Sequence, residues 1–332
     1  MLRRYLLIII YILFSSQLSA QSTKNESFIK SLLQWLWAPR TDTLYAKRSP
    51  YPFRVKVRVG TTFDILHFQW KENTDNIKLF SEPLFKVGAH VSYRNIGIGF
   101  MKSIRTLFNS RRIEESELLA SAYGRTIGGD IAIGRQNSYL IGRNNNLACA
   151  EPINGVSNRT IYANGYYVFN NKRFSYPAAL THSYLQVRSC GSVILGISLY
   201  YNNLNINTEK FPDELLNDIS ATQFITSLKR FSLNVSCGYA YNKIINRHWS
   251  IHASILPSIP IISRTEYCIG SKKRSKGLSN TLDCLLRAAV IWDKERFFAG
   301  ISTIIYTNEL LPSPIYIRET YTRTTLSFGI RF

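Results

Sequence analysis

Methionine is nearly absent from this 332-residue chain, with 2 in all, and charged residues make up only 19% of it. Long amphipathic helices draw on Leu, Ala, Glu, Lys and Met, so a mainly helical fold lacks its usual material. Acidic residues are scarce too, 21 against 41 Lys and Arg, which leaves a net charge of +20. The basic residues are dispersed instead of gathered into one stripe, and this argues against a nucleic-acid partner. Five cysteines, Cys149, Cys190, Cys237, Cys268 and Cys284, show no C-x-x-C spacing, and His67, His90 and His182 stand isolated. No metal site is expected from such a pattern. With no phosphate loop or glycine-rich nucleotide fingerprint either, no cofactor is expected. After residue 14 the chain has no long apolar run, which excludes a helical membrane protein.

The one apolar run, Leu6 to Phe14, follows Arg3 and Arg4 and precedes Ser15, Ser16, Gln17 and Ala20. It is shorter than the roughly 20 residues a spanning helix needs and reads as a secretory signal peptide over 1–20, cleaved after Ala20. Cleavage would remove two Arg and no acid, taking the net charge from +20 to +18. Phe28, Leu32, Trp35 and Leu36 then recur at helical spacing. A short amphipathic helix is expected there, within a periplasmic N-terminal segment over 21–50.

Aromatic residues are plentiful, 13% of the chain with 20 Tyr and 18 Phe. They suit strands at a lipid interface. At the C-terminus Leu326, Phe328, Ile330 and Phe332 alternate with Thr325, Ser327, Gly329 and Arg331, one set to each face of a strand. The stretch 231–241 is clearer still. Phe231, Leu233, Val235, Cys237, Tyr239 and Tyr241 alternate with Ser232, Asn234, Ser236, Gly238 and Ala240. The second face is small and uncharged, as a narrow lumen requires, where a soluble sandwich would show charge to water.

Similar strands are expected near 53–59, 62–70, 84–94, 96–104, 118–125, 127–135, 158–169, 173–186, 191–206, 248–255, 281–292, 297–307 and 316–332. Tyr93-Arg94-Asn95, Asn170-Asn171-Lys172 and Asp293-Lys294-Glu295 read as short turns, and 104–117, 207–226 and 263–280 as long loops. Pro177, Pro257 and Pro260 suggest rim positions or bulges. The expectation is an all-β fold, an antiparallel transmembrane β-barrel of about 12 strands (10–14) over 51–332.

Candidate functional residues are few. Arg54, Lys56 and Arg58 share one face of the first strand, and with Arg331 they would make a basic lumen. Lys272, Lys273, Arg274 and Lys276 form a basic loop suited to anionic lipid. Phe332 would serve as the signal read by the barrel-assembly machinery. His248 and Ser250 lie two apart on one strand face. That is the arrangement with which outer-membrane phospholipases activate a serine, but here Trp249, Ile251, Ala253 and Ile255 would own the lipid face.

Three stretches carry a resemblance to a known family. They are Asp42-Thr43-Leu44-Tyr45 leading to Pro50-Tyr51-Pro52-Phe53-Arg54-Val55, then Tyr123-Gly124-Arg125, and above all Asn170-Asn171-Lys172-Arg173-Phe174-Ser175-Tyr176-Pro177-Ala178-Ala179. Cys190-Gly191-Ser192-Val193-Ile194-Leu195-Gly196 resembles the family's next strand. Over 42–332 the chain resembles the outer-membrane proteins grouped as domain of unknown function 4421, although 136–156 departs from that pattern. The resemblance implies an outer-membrane barrel of a Gram-negative bacterium and transfers no catalytic site.

Three roles follow, in order of expectation. The first is a passive channel or transporter of small, anionic solutes. The second is a structural or surface-recognition barrel acting through its extracellular loops, and the third a barrel-embedded lipid hydrolase at His248 and Ser250. The chain is expected not to be an enzyme, and its expected partners are outer-membrane lipids, lipopolysaccharide and the assembly machinery. Oligomeric state stays open.

Overall fold

Strict alternation lets a strand bury one row of side chains and present the other to lipid, and a sheet built wholly of such strands removes its edges by closing. The computed structural model describes residues 42–70, 76–104, 116–137, 139–143, 146–153, 155–207, 225–269, 272–278, 281–311 and 315–332. Twelve antiparallel strands form the wall: β1 (Phe53–Trp70), β2 (Leu84–Tyr93), β3 (Ile96–Ser103), β4 (Ser116–Tyr123), β5 (Ile127–Gln136), β6 (Val156–Val168), β7 (Cys190–Ile206), β8 (Ile225–Ile244), β9 (Trp249–Ile269), β10 (Asp283–Lys294), β11 (Phe297–Leu311) and β12 (Ile315–Arg331). Each pairs with its sequence neighbour. β12 returns to β1, from Ile315 opposite Trp70 to Arg331 opposite Arg54, and closes the barrel. The amphipathic helix expected around 26–38 lies outside the described residues.

Both faces of the strands follow the sequence pattern. Val55, Val57, Ile98, Phe100, Ile197, Tyr239, Ile255, Ile301, Leu326 and Phe328 are exposed on the outside. On the inside Arg54, Ser232, Asn234, Ala240, Thr325 and Arg331 are buried. Such a continuous apolar exterior is far larger than the patches soluble proteins tolerate and fits the hydrocarbon of a bilayer. Among the described residues no helix is long and apolar enough to cross a membrane. Phe332 is 60% exposed, and its backbone exchanges hydrogen bonds with Phe53 at 2.9 and 3.2 Å, extending the closing seam. Cys190, Cys237, Cys268 and Cys284 are free thiols.

The connections sort to two rims. β2–β3, β4–β5, β8–β9 and β10–β11 are joined by tight turns at one rim, and longer connections such as those after β1, β3, β5 and β7 lie at the other. At the long-loop rim the short strands Asn76–Ser81, Tyr139–Arg143 and Asn146–Ile153 pair in series beyond β1, and Lys272–Lys276 folds back on β9.

Several expected strand limits are corrected. Residues 53–59 and 62–70 form one strand, because Gly60 and Thr61 continue the alternation opposite β12. The long loop expected from 263 begins only after Ile269. Pro260 does mark a bulge: Leu233 faces Ile262 while Asn234 faces Pro260, leaving Ile261 unmatched.

The main correction concerns 173–186, expected as a strand. Asn170-Asn171-Lys172 turns the chain inward instead of joining two wall strands. Pro177 then starts a five-residue helix, α1 (Tyr176–Leu180), whose Tyr176, Pro177, Ala178 and Ala179 are buried inside the barrel. Tyr184–Gln186 pairs with Ala46–Arg48, outside the wall. This connection plugs the lumen at the tight-turn rim.

Candidate functional site

The plug is held by side chains from the wall and by the chain that precedes β1. Arg125, in the β4–β5 turn, donates through Nε to the Asn171 carbonyl at 2.9 Å and stacks over Tyr184. Burial lowers its pKa to about 10, which leaves it cationic at neutral pH. Asn242 of β8 donates to the Ser175 carbonyl at 3.0 Å, and Gln186 donates to the Arg173 carbonyl at 2.8 Å and the Tyr45 carbonyl at 3.0 Å. The Asp42 amide donates to the Lys172 carbonyl at 3.0 Å, and Arg173 lies over the Tyr45 ring. Stretches singled out in the sequence at 42–45, 123–125 and 170–179 therefore meet at this plug.

Above the plug the lumen is filled in layers. Arg287 of β10 donates to Asp130 at 2.8 Å, to the Tyr166 hydroxyl at 2.6 Å and to the Tyr123 hydroxyl at 2.9 Å. The next layer is aromatic, with Tyr162 stacked on Tyr306 at 4.0 Å between centroids and flanked by Tyr200 and Tyr321. Two carboxylates follow. Asn158 bridges them, donating to Asp64 at 2.9 Å and to Glu319 at 3.0 Å. Tyr139 donates to Asp64 at 2.7 Å, while Tyr200 and Asn202 donate to Glu319. Beside them Arg230 pairs with Asp283, and Leu66, Phe68, Leu79, Leu204 and Ile317 close the long-loop end with no exposure above 0%.

The basic residues singled out in the sequence divide. Arg54, Lys56 and Arg331 are buried inside, and Arg58 borders the cavity above the plug. Arg331 is paired with Asp293 and also donates to the Glu295 carbonyl at 2.7 Å. Arg54 is bonded to the Arg94 carbonyl. Lys272, Lys273 and Arg274 are exposed at the long-loop rim, with Lys273 3.1 Å from Glu266, and Lys276 ends that strand. His248 lies in the turn before β9 with Nδ1 3.0 Å from the Asp293 carbonyl oxygen, whereas Ser250 pairs with Ile291 in β10. No hydrogen bond joins His248 to Ser250. Among the described residues no group of three or more potential metal ligands is gathered.

One arrangement was not read from the sequence. On the outer face, Ile133, Ile161, Tyr201 and Phe231 lie in register across β5 to β8, and the next outward residues toward the long-loop rim are Arg135, Arg159, Asn203 and Lys229, again in register. Apolar surface changes to basic surface over one step of the alternation. Arg135 and Arg159, both exposed, face each other directly across the strand pair and set two guanidinium groups side by side on the outer face. They border a groove of about 490 Å3 that Phe100, Leu118 and Ile133 line on its apolar side.

A closed twelve-strand wall, an apolar exterior and rims of unequal length define an outer-membrane β-barrel. The model of the Domain of unknown function (DUF4421) matches residues 40–332, and the chain belongs to that family. No curated protein matches it. Among solved structures it is similar to the translocator domain of the autotransporter NalP from Neisseria meningitidis, at 9% identity, covering 85% of this chain and 88% of that one with a TM-score of 0.38. It is also similar to the outer membrane protease OmpT from Escherichia coli, at 6% identity over 86% and 98% with a TM-score of 0.40. A third is the toluene transporter TodX of Pseudomonas putida, at 7% identity over 86% and 90% with a TM-score of 0.31.

Proposed function

We propose that this protein is a closed barrel that acts at the membrane surface through its long-loop rim, where it binds the phosphates of lipopolysaccharide. The observation that carries this reading is the packed lumen. Plug, tyrosine layer, bridged carboxylates and apolar end fill the lumen with buried side chains among the described residues, whereas a passive channel needs an open polar lumen. The Arg135–Arg159–Lys229 row names the partner. Guanidinium pairs match phosphate geometry, and the groove beside them offers apolar surface to an acyl chain. Lys272, Lys273 and Arg274 extend the same positive rim. In this reading the protein is not an enzyme, and the packing does not supply the sustained flux of a porin.

The test is binding of purified lipopolysaccharide to the refolded barrel and to the Arg135→Gln/Arg159→Gln double variant, with heat-modifiable migration on gels to confirm folding. The reading expects at least a tenfold loss of affinity in the double variant. Equal binding by the two folded proteins would sink the lipopolysaccharide assignment. In cells, deletion of residues 208–224 should alter surface binding or sensitivity to large antibiotics.

A further inference from the structure

Between the plug and the Arg287–Asp130 pair the lumen contains a cavity of about 100 Å3, bordered by Lys56, Arg58, His90, Ser121 and His182. Its charges do not balance. Lys56 is 8% exposed, and among the described residues neither Lys56 nor Arg58 is hydrogen-bonded to an acceptor or ion-paired with a carboxylate. Lys56 shares the inner face of β1 with Arg54 and Arg58, both positive. Carboxylates close by are already engaged. Asp130 takes Arg287 at 2.8 Å, Asp293 takes Arg331, and Glu117 takes Arg323 while also facing Arg58 and Lys86.

A buried ammonium without a counter-charge costs several kcal/mol, and lysine is almost never enclosed unless paired. Neutral donors surround the same space. The Ser121 hydroxyl and the Nδ1 atoms of His90 and His182 are buried without a hydrogen-bond partner. The sequence makes room for one of them: a Cβ on Gly97 or Gly99 of β3 would meet the His90 ring at 2.4 or 2.8 Å.

We propose that this cavity is a binding site for a small free oxyanion of the phosphate or sulfate class, with Lys56 and Arg58 supplying its counter-charge and Ser121 and His90 its neutral hydrogen bonds. At roughly 10–15 Å3 of such volume per water, the space holds a tetrahedral oxyanion in place of several waters. The site is separate from the outer arginine row, and either can fail without the other.

The experiment is calorimetric titration of the refolded full chain, in a phosphate-free nonionic detergent, with inorganic phosphate. One saturable site per barrel is expected. Lys56→Gln and Arg58→Gln should each weaken it at least tenfold, and Lys243→Gln, on the outer face, should leave it unchanged. Folding of each variant is checked by heat-modifiable migration. Lys56→Gln removes an uncompensated buried charge and should fold at least as well as the parent. Absence of saturable binding to the parent protein would overturn the proposal. So would retained binding in both Lys56→Gln and Arg58→Gln, or binding lost only on Arg159→Gln, which would place the anion on the outer row. A short-chain phosphatidic acid should not displace phosphate; displacement would assign the site to lipid and overturn the free-anion reading.

Discussion

Arg125 holds Asn171 by its backbone: Nε of a turn on the wall donates 2.9 Å to a carbonyl at the entrance of the plug. The contact couples the barrel to the segment that closes it. The same guanidinium bonds the Asn171 carbonyl again through an NH2 group, which also reaches the buried Phe174 carbonyl at 3.5 Å. Removing the guanidinium leaves buried carbonyls without a donor. Arg125→Ala should cost about 1.5–3 kcal/mol, the range for hydrogen bonds to charged groups. The wall should stay folded while the turn at Lys172 and Arg173, whose side chains are already exposed, loosens and is cut faster by trypsin. Limited proteolysis of the folded barrel reads this directly, and a plug as resistant as the parent's would show that Arg125 does not hold it.

Glu319 accepts hydrogen bonds from Asn158, Tyr200 and Asn202 at 0% exposure. Glu319→Ala strands those donors and should destabilise the barrel by about 3–5 kcal/mol. Glu319→Gln keeps one acceptor oxygen and should cost markedly less. Urea unfolding in detergent distinguishes them, and equal midpoints for the two variants would contradict the network.

Gly329 lies opposite Lys56, and a Cβ there would meet the Phe298 ring at 2.3 Å. The glycine is thus the seat of a ring that also carries His182 on one side, at 4.6 Å between centroids. Gly329→Val should cost about 1–3 kcal/mol by overpacking. Phe298→Leu should recover part of that loss in the double variant. Additive costs in the double-mutant cycle would mean the two residues do not share the space.

His248 and Ser250 are not hydrogen-bonded, and the His248 ring nitrogen faces a backbone carbonyl. The refolded protein should release no fatty acid from phospholipid vesicles above background. Release that Ser250→Ala abolishes would restore the hydrolase reading.

Much of the wall was legible because period-two alternation is local: each strand states its two faces without reference to a neighbour. That alternation sets Arg54, Lys56, Arg58 and Arg331 on the faces opposite the apolar rows of their strands. The plug was not legible, because Arg173, Phe174 and Tyr176 read as another aromatic strand. Only tertiary contacts, such as Asn242 with the Ser175 carbonyl, show that the chain turns inward. The outer arginine row was missed for a different reason. Arg135, Arg159 and Lys229 come from three strands, and register between strands is set by turns and packing, not by any one segment. Asp64 and Glu319 likewise meet only once β1 and β12 close the barrel.

A shut lumen passes no sustained current, and single-channel recording in planar bilayers reads this. Protein that is folded, inserted and protease-protected in the same lipid should give no stable conductance steps. Removing residues 173–187 should still give none, since the tyrosine layer and the Asp64–Glu319 bridge remain. Regular, long-lived steps from the unmodified barrel would mean that the lumen is open and that the protein is a channel.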